Sequence, residues 1–201
     1  MARWAGNAKG RLEKAALDLF DEQGYDRTTV AQIAQRADLT ERSFYRWFAD
    51  KREVLFGGSQ ELEDRLLAAI DEVPADTGPL PTLLAAWATA PEVIRPREFL
   101  RLRSAIIAAN PPLQERELIK LASLSEALTV ALVRRGHDRA TAQLATDLAL
   151  AVVRLTSARW MADEQADITT LVETSLADLA AVAADGVAHI SGRDSSAVST
   201  K

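Results

Sequence analysis

The tract from Thr28 to Leu55, TTVAQIAQRADLTERSFYRWFADKREVL, constrains this chain more than any other part of it. It holds two short amphipathic segments, each opened by a hydroxyl residue. Thr29 precedes the first, about Val30 to Arg36, and Gln32 stands three residues later at the spacing of a capping box. Val30, Ile33, Ala34 and Ala37 recur at helical spacing and form its buried stripe. Thr40 opens the second, about Glu41 to Ala49, where Phe44 and Phe48 share one face. Between them Ala37-Asp38-Leu39 must turn sharply, and Asp tolerates positive φ better than most residues. The remaining faces of the second segment carry Glu41, Arg42, Ser43, Tyr45, Arg46 and Trp47. A short helix with an apolar back and a front of hydrogen-bonding, cationic and aromatic side chains suits the DNA major groove.

The surrounding pattern is helical. Leu12, Ala15, Ala16, Leu19 and Phe20 place one amphipathic helix at about Gly10 to Gln23, which Gly24 can end in a left-handed conformation. Asp50 caps a long helix from Lys51 to about Glu72, with Glu53 as its box partner. Val73 to Pro81 is the clearest break. Helices are expected near Thr82–Thr89, Arg97–Ala109, Leu113–Arg135, Arg139–Ala162 and Ile168–Ala184, with Gly136 and Gly186 as stops. From Ser191 the chain is small and polar, as in a disordered tail. Abundant alanine, nine glycines and seven prolines favour an all-α fold.

Charge is unevenly placed. Of the 24 Lys and Arg and the 29 Asp and Glu, ten and nine lie in residues 1–56, leaving 14 against 20 in the remainder. A locally basic head on an acidic body is expected where only the head meets phosphate. The absence of cysteine removes disulfides, thiolate metal sites and a thiol nucleophile, and suits a reducing cytoplasm. No apolar run reaches the roughly 18 residues of a membrane span. The first residues, MARWAGNAKGR, lack the apolar core of a secretory signal.

The head resembles the DNA-binding domain of the TetR family of bacterial transcriptional regulators. The resemblance rests on Gly24-Tyr25, Thr28-Thr29, Val30, Ile33-Ala34, Ala37, Thr40, Ser43, Tyr45, Phe48 and Lys51, and covers about Leu12 to Phe56. Asp38 stands where the family usually has glycine, and Ser43 where it usually has threonine. The resemblance implies a three-helix helix-turn-helix head over 1–50, a helical ligand-binding and dimerisation body over 51–190 and a tail over 191–201. It implies DNA contacts from Thr29, Thr40, Glu41, Arg42, Ser43, Tyr45, Arg46, Trp47 and Lys51. Arg42 is the candidate for a guanine edge, and Arg46, one turn on, reaches either a base or a phosphate; Tyr45, Trp47, Thr29 and Lys51 are the candidates for the DNA backbone. Arg3, Lys9 and Arg11 precede the first helix and form a candidate minor-groove arm.

In the body, Arg139–Ala162 carries two apolar stripes, Leu144, Leu148, Ala151 and Leu155, and Ala149, Val153, Thr156 and Trp160. Ile168–Ala184 is apolar nearly all round, and such a helix needs cover on every side. The resemblance supplies a second subunit as that cover, which assigns Leu148, Val152, Leu155, Leu171, Leu176 and Leu179 to a homodimer interface. A pocket for a small-molecule effector falls to Trp87, Phe99, Leu102, Arg103, Ile106, Leu121, Leu124 and Leu128. Arg103 either meets a ligand's acid group or pairs with a neighbouring Asp or Glu, and Arg154 poses the same choice. Neither His137 nor His189 has metal-ligand spacing to a second ligand, and there is no nucleophile elbow or glycine-rich phosphate loop. No cofactor and no catalysis are expected. The reading is a dimeric regulator, most simply a repressor, on a palindromic operator of double-stranded DNA. The alternative is a helical dimeric module that binds a ligand or protein without DNA.

Overall fold

A computed structural model of the chain describes residues 7–197, and these are helical with connecting turns. Three helices form the head: α1 (Ala8–Gln23), α2 (Val30–Arg36) and α3 (Glu41–Trp47). A 3₁₀ segment, Arg52–Phe56, leads to α4 (Ser59–Glu72) and α5 (Pro79–Trp87). A second 3₁₀ turn, Ala90–Glu92, leads to α6 (Arg97–Ala108), α7 (Pro111–Arg134), α8 (Arg139–Ala162) and α9 (Ile168–Ala197).

Local chemistry sets most of the ends. The Asn7 side chain accepts from Gly10 N–H at 2.7 Å and starts α1 at Ala8, two residues earlier than expected. Gly24, at φ 86°, returns its N–H to Phe20 and stops it. Asp38 is the one non-glycine residue at positive φ among those described, at 53°, and Leu39 N–H reaches back to the Ala34 carbonyl at 2.9 Å. The sharp turn expected between α2 and α3 is therefore made with aspartate.

Several boundaries depart from the sequence pattern. The long helix expected from Lys51 is two pieces, the 3₁₀ segment and α4, with Gly57-Gly58 between them. Asp50 does cap, accepting from the N–H groups of Arg52 and Glu53, but Glu53 turns away to α7 instead of closing a box. α5 and α7 begin at Pro79 and Pro111, earlier than expected. Proline fits the first helical turn, where its missing N–H has no partner to lose. α9 passes Gly186 and continues through Ala197, so residues 191–197 are helical rather than a disordered tail; 198–201 lie outside the described residues. Glycine costs only about 1 kcal/mol in a helix, and no proline follows to stop it.

The chain divides after Thr146, not after residue 50. The reason is a shared core. Leu12, Ala16, Phe20, Ile33, Phe44 and Phe48 of the head pack in one cluster with Val54 to Phe56, Phe99, Ile106, Ile107 and Leu113. In this first unit α4 also packs on α5 and α7. The second unit, from Asp147 onward, is held by the Thr156 and Ser175 hydroxyls at 3.2 Å, both buried, and by an ion pair of Arg159 with Asp178.

Candidate DNA-binding interface

Phe44 is fully buried and Phe48 nearly so, which pins α3 by its apolar side against α1 and α2. That packing leaves Glu41, Arg42, Tyr45, Arg46 and Trp47 pointing out, with Tyr45 and Trp47 still 56 % and 47 % exposed. The Tyr45 ring meets Phe44 edge-on, with ring centres 5.5 Å apart, yet keeps more than half of its surface in water. The Arg46 guanidinium lies 5.4 Å from the Trp47 ring centre, so part of its weight rests on an aromatic surface rather than on a carboxylate. Neither Arg42 nor Arg46 makes a salt bridge among the described residues.

Helix starts shape the same face. Thr40 caps α3 by accepting from Ser43 N–H at 3.2 Å, and its hydroxyl also meets that of Ser43 at 3.1 Å. Thr29 and Gln32 form a complete capping box on α2. Both hydroxyls are thus engaged, and the N–H groups still free at these helix starts are the natural phosphate donors. A shallow open notch lined by Ala31, Gln35, Asp38, Leu39, Thr40 and Glu41 runs beside the turn.

Lys51 has a structural role that its spacing did not reveal. Its ammonium donates to the carbonyls of Tyr25 at 2.7 Å and Thr28 at 2.9 Å, and sits 4.1 Å from the Tyr25 ring centre. Burial lowers its pKa, and Asp26 partly opposes that. An ammonium has three donors, so one remains for a phosphate while two staple the α1–α2 turn to the end of the head.

The candidate arm is divided. Lys9 is paired with Glu61 of α4, Arg11 is exposed, and Arg3 lies outside the described residues. The candidate pocket is divided as well. Phe99 and Ile106 belong to the core shared with the head, with Leu102 packed against it. Leu121 is 47 % exposed, Leu124 half-buried and Leu128 fully buried. Arg103 donates to the Leu55 carbonyl at 2.7 Å and to Glu117 at 3.0 Å, and lies 5.0 Å from the Phe56 ring centre. These contacts tie α6 to the 3₁₀ segment and to α7. Arg154 is exposed. Trp87 is half-buried, and its indole N–H is buried with no acceptor among the described residues. Of the candidate interface residues, Val152 is fully buried within the chain, whereas Leu148, Leu155, Leu171, Leu176 and Leu179 are half-exposed. Among the described residues of the second unit, Val182 and Ile190 are the most exposed large apolar side chains, with Ile168 less so.

Two buried charges escaped the sequence reading. Glu13 is 2 % exposed and Arg95 9 %. Glu13 had a signal, since it lies at helical spacing with Ala16 and Phe20 on the apolar side of α1. Arg95, between two prolines in a loop, had none.

A model of the bacterial regulatory proteins of the tetR family matches residues 12–56. Over 108 residues the chain is 34 % identical to the HTH-type transcriptional regulator TcmR of Streptomyces glaucescens, a match covering 54 % of this chain and 48 % of TcmR. The chain thus spans about half the length of that relative. Among solved structures, a transcriptional regulator from Aquifex aeolicus VF5 aligns with a TM-score of 0.54 at 19 % identity, over 88 % of this chain and 99 % of that one. SmeT from Stenotrophomonas maltophilia, in a complex with triclosan, aligns with a TM-score of 0.56 at 22 % identity, over 85 % and 90 %. At those identities the likeness is one of fold. No helix among the described residues is long and apolar enough to cross a membrane.

Proposed function

We propose that this chain, whose head is a DNA-binding domain of the tetR family, is a homodimeric transcriptional regulator that binds a palindromic operator through α3. The observation that carries the reading is α3 itself, which holds Arg42 and Arg46 free of carboxylates beside two exposed aromatic rings. Arg42, in the first turn, suits the two acceptors of a guanine edge. Arg46 is one turn on. Thr29, Thr40, Ser43, Tyr45, Trp47 and the third donor of Lys51 fit backbone contacts that fix register without reading sequence. Such a protein works in the cytoplasm, beside the chromosome. Genome-wide binding, followed by anisotropy titration of the recovered site against a scrambled one, tests the reading. Equal affinity for both at moderate salt sinks it.

Pairing of two chains through the second unit follows from half-exposed leucines on α8 and α9 that need cover. Leu176→Glu places a charge among them, and we expect it to dissociate or unfold the dimer in sedimentation experiments. Sedimentation of the unaltered chain as a monomer at all accessible concentrations removes the dimer.

Release by a small molecule makes the regulator a repressor with an inducer. The support is the Trp87 indole N–H, a buried donor that lacks an acceptor among the described residues, on a helix packed against α4. SmeT, a protein of this fold, is known in a complex with triclosan. With Arg103 committed to Glu117, a neutral apolar ligand carrying one hydrogen-bond acceptor fits better than an acid. Thermal-shift screening, followed by operator-release assays with Trp87→Phe, tests this. Hits that act equally on Trp87→Phe bind elsewhere.

A further inference from the structure

Four charged groups meet beneath the head, where the chain passes from the 3₁₀ segment into α4. The Glu13 carboxylate, on α1, accepts two bonds side-on from Arg95, from Nε at 2.8 Å and from Nη2 at 3.1 Å. Arg95 lies just ahead of α6, and its Nη1 donates to Glu61 of α4 at 3.0 Å and to the Val93 carbonyl at 3.3 Å. Lys9 of α1 holds the other oxygen of Glu61. Two cations therefore face two anions. Burial works against the Glu61 carboxylate, but the bonds from Lys9 and Arg95 outweigh it and hold its pKa below the ordinary value.

Gly57 and Gly58 close over this group. A Cβ on Gly57 would stand 2.3 Å from Glu13 Oε1, and one on Gly58 would stand 3.5 Å from Arg95 Cζ. Gly57 has φ −59° and ψ −24°, which any L residue adopts. Glycine is needed there for space and not for its backbone freedom.

A buried carboxylate–guanidinium pair contributes little net stability, because desolvation offsets its attraction. Its side-on geometry instead fixes direction. This pair ties α1 to α4 and to the chain entering α6, the elements whose angles decide where α3 points. We propose that Glu13, Arg95 and Gly57 are positioning residues that hold the head at one angle to α4. The proposal rests on the reading of the head as DNA-binding. A head that occupies its competent angle a tenth of the time binds about tenfold more weakly.

The chain has no cysteine, so Asp21→Cys on α1 and Ala68→Cys on α4, both exposed, each take one spin label. Electron–electron resonance on the labelled full chain, diluted with unlabelled chain, then reads the head-to-α4 distance without any DNA. One narrow distribution is expected in the parent. It is expected to broaden in Arg95→Lys, which keeps the charge and loses the side-on bond, and in Gly57→Ala, which displaces the Glu13 carboxylate. Arg95→Gln is the harsher variant, and circular dichroism shows which variants remain folded. Operator affinity is expected to fall about tenfold with the broadening. An unchanged narrow distribution in folded Arg95→Lys and Gly57→Ala overturns the proposal. Broadening in a chain that binds no operator at all supports the positioning role and overturns only the DNA reading.

Discussion

Arg42 and Arg46 on the outer face of the head, and Arg95, Arg103 and Arg116 beneath it, are the same side chain in two opposite situations. The outer pair meets no carboxylate among the described residues. The inner three are each matched: Arg95 to Glu13 and Glu61, Arg103 to Glu117, Arg116 to Glu53. Lys120 joins the last pair from α7. A cation kept in water with its donors unused costs the folded chain little and is available to a phosphate or a guanine. A cation locked between carboxylates has no such freedom, and its fixed geometry serves to orient helices. The net charge of −5 hides this division.

The sharpest way to break the comparison is to remove what presents the outer face. Phe44 is fully buried under α3. Phe44→Ala should cost about 3–5 kcal/mol of head stability and abolish DNA binding through loss of the helix, not of a contact. Chemical denaturation with far-ultraviolet circular dichroism checks it; a head that keeps its midpoint would show that α3 is held by something other than this ring.

Arg42→Ala should leave thermal stability unchanged, because the side chain is exposed and makes no salt bridge among the described residues. At the operator it should cost about 1–3 kcal/mol and relax preference at one base pair. Equal losses on operator and scrambled DNA would strip it of base reading. Lys51→Met sharpens the contrast, since Lys51 stands on both sides of it. We expect a loss of about 1–2 kcal/mol in stability from the two carbonyl bonds. A uniform loss of affinity for all sequences should accompany it, with a salt slope shallower by about one unit. A change in DNA affinity alone would show that the staple is dispensable.

The two regions also differ in how far the sequence reveals them. The outer face is written in local code: Thr29 with Gln32, Asp38 at the turn, Thr40 as cap, Phe44 and Phe48 at helical spacing. Each signal spans a few residues, so α2 was legible to its ends and α3 to within two residues of its last turn. The inner ties join residues 14 to 82 positions apart, such as Arg103 with Glu117 and Arg95 with Glu13. Nothing local announces them. Glu53 at capping-box spacing from Asp50 reads as a cap, yet its carboxylate goes to α7. Phe99 and Ile106 read as pocket lining because their stripe shows only that a face is buried; the shared core with α1 shows against what. The break at Gly57-Gly58 was hidden by a helical pattern on both sides of it.

The smallest effect is also the one that isolates the inner ties. Burial raises the Glu53 pKa, but the bonds from Arg116 and Lys120 more than reverse that, and the carboxyl titrates below its ordinary value of 4.5. Glu61 is lowered in the same way by Lys9 and Arg95. When the chain unfolds, both return toward 4.5. Their contribution is therefore complete above that pH and is lost as pH falls through it toward the depressed folded values. Acid should therefore loosen the docking of head on α6 and α7 before it touches the recognition face, where neither Arg42 nor Arg46 is paired with a carboxylate among the described residues. Glu53→Gln should cost about 1 kcal/mol at neutral pH, consistent with a partly exposed pair. It should also flatten the stability curve between about pH 5 and 3. Melting temperatures of parent and variant over that range measure it. Parallel curves would mean that Glu53 is no better held in the folded chain than in the unfolded one, and that the inner cations orient nothing at this end of the 3₁₀ segment.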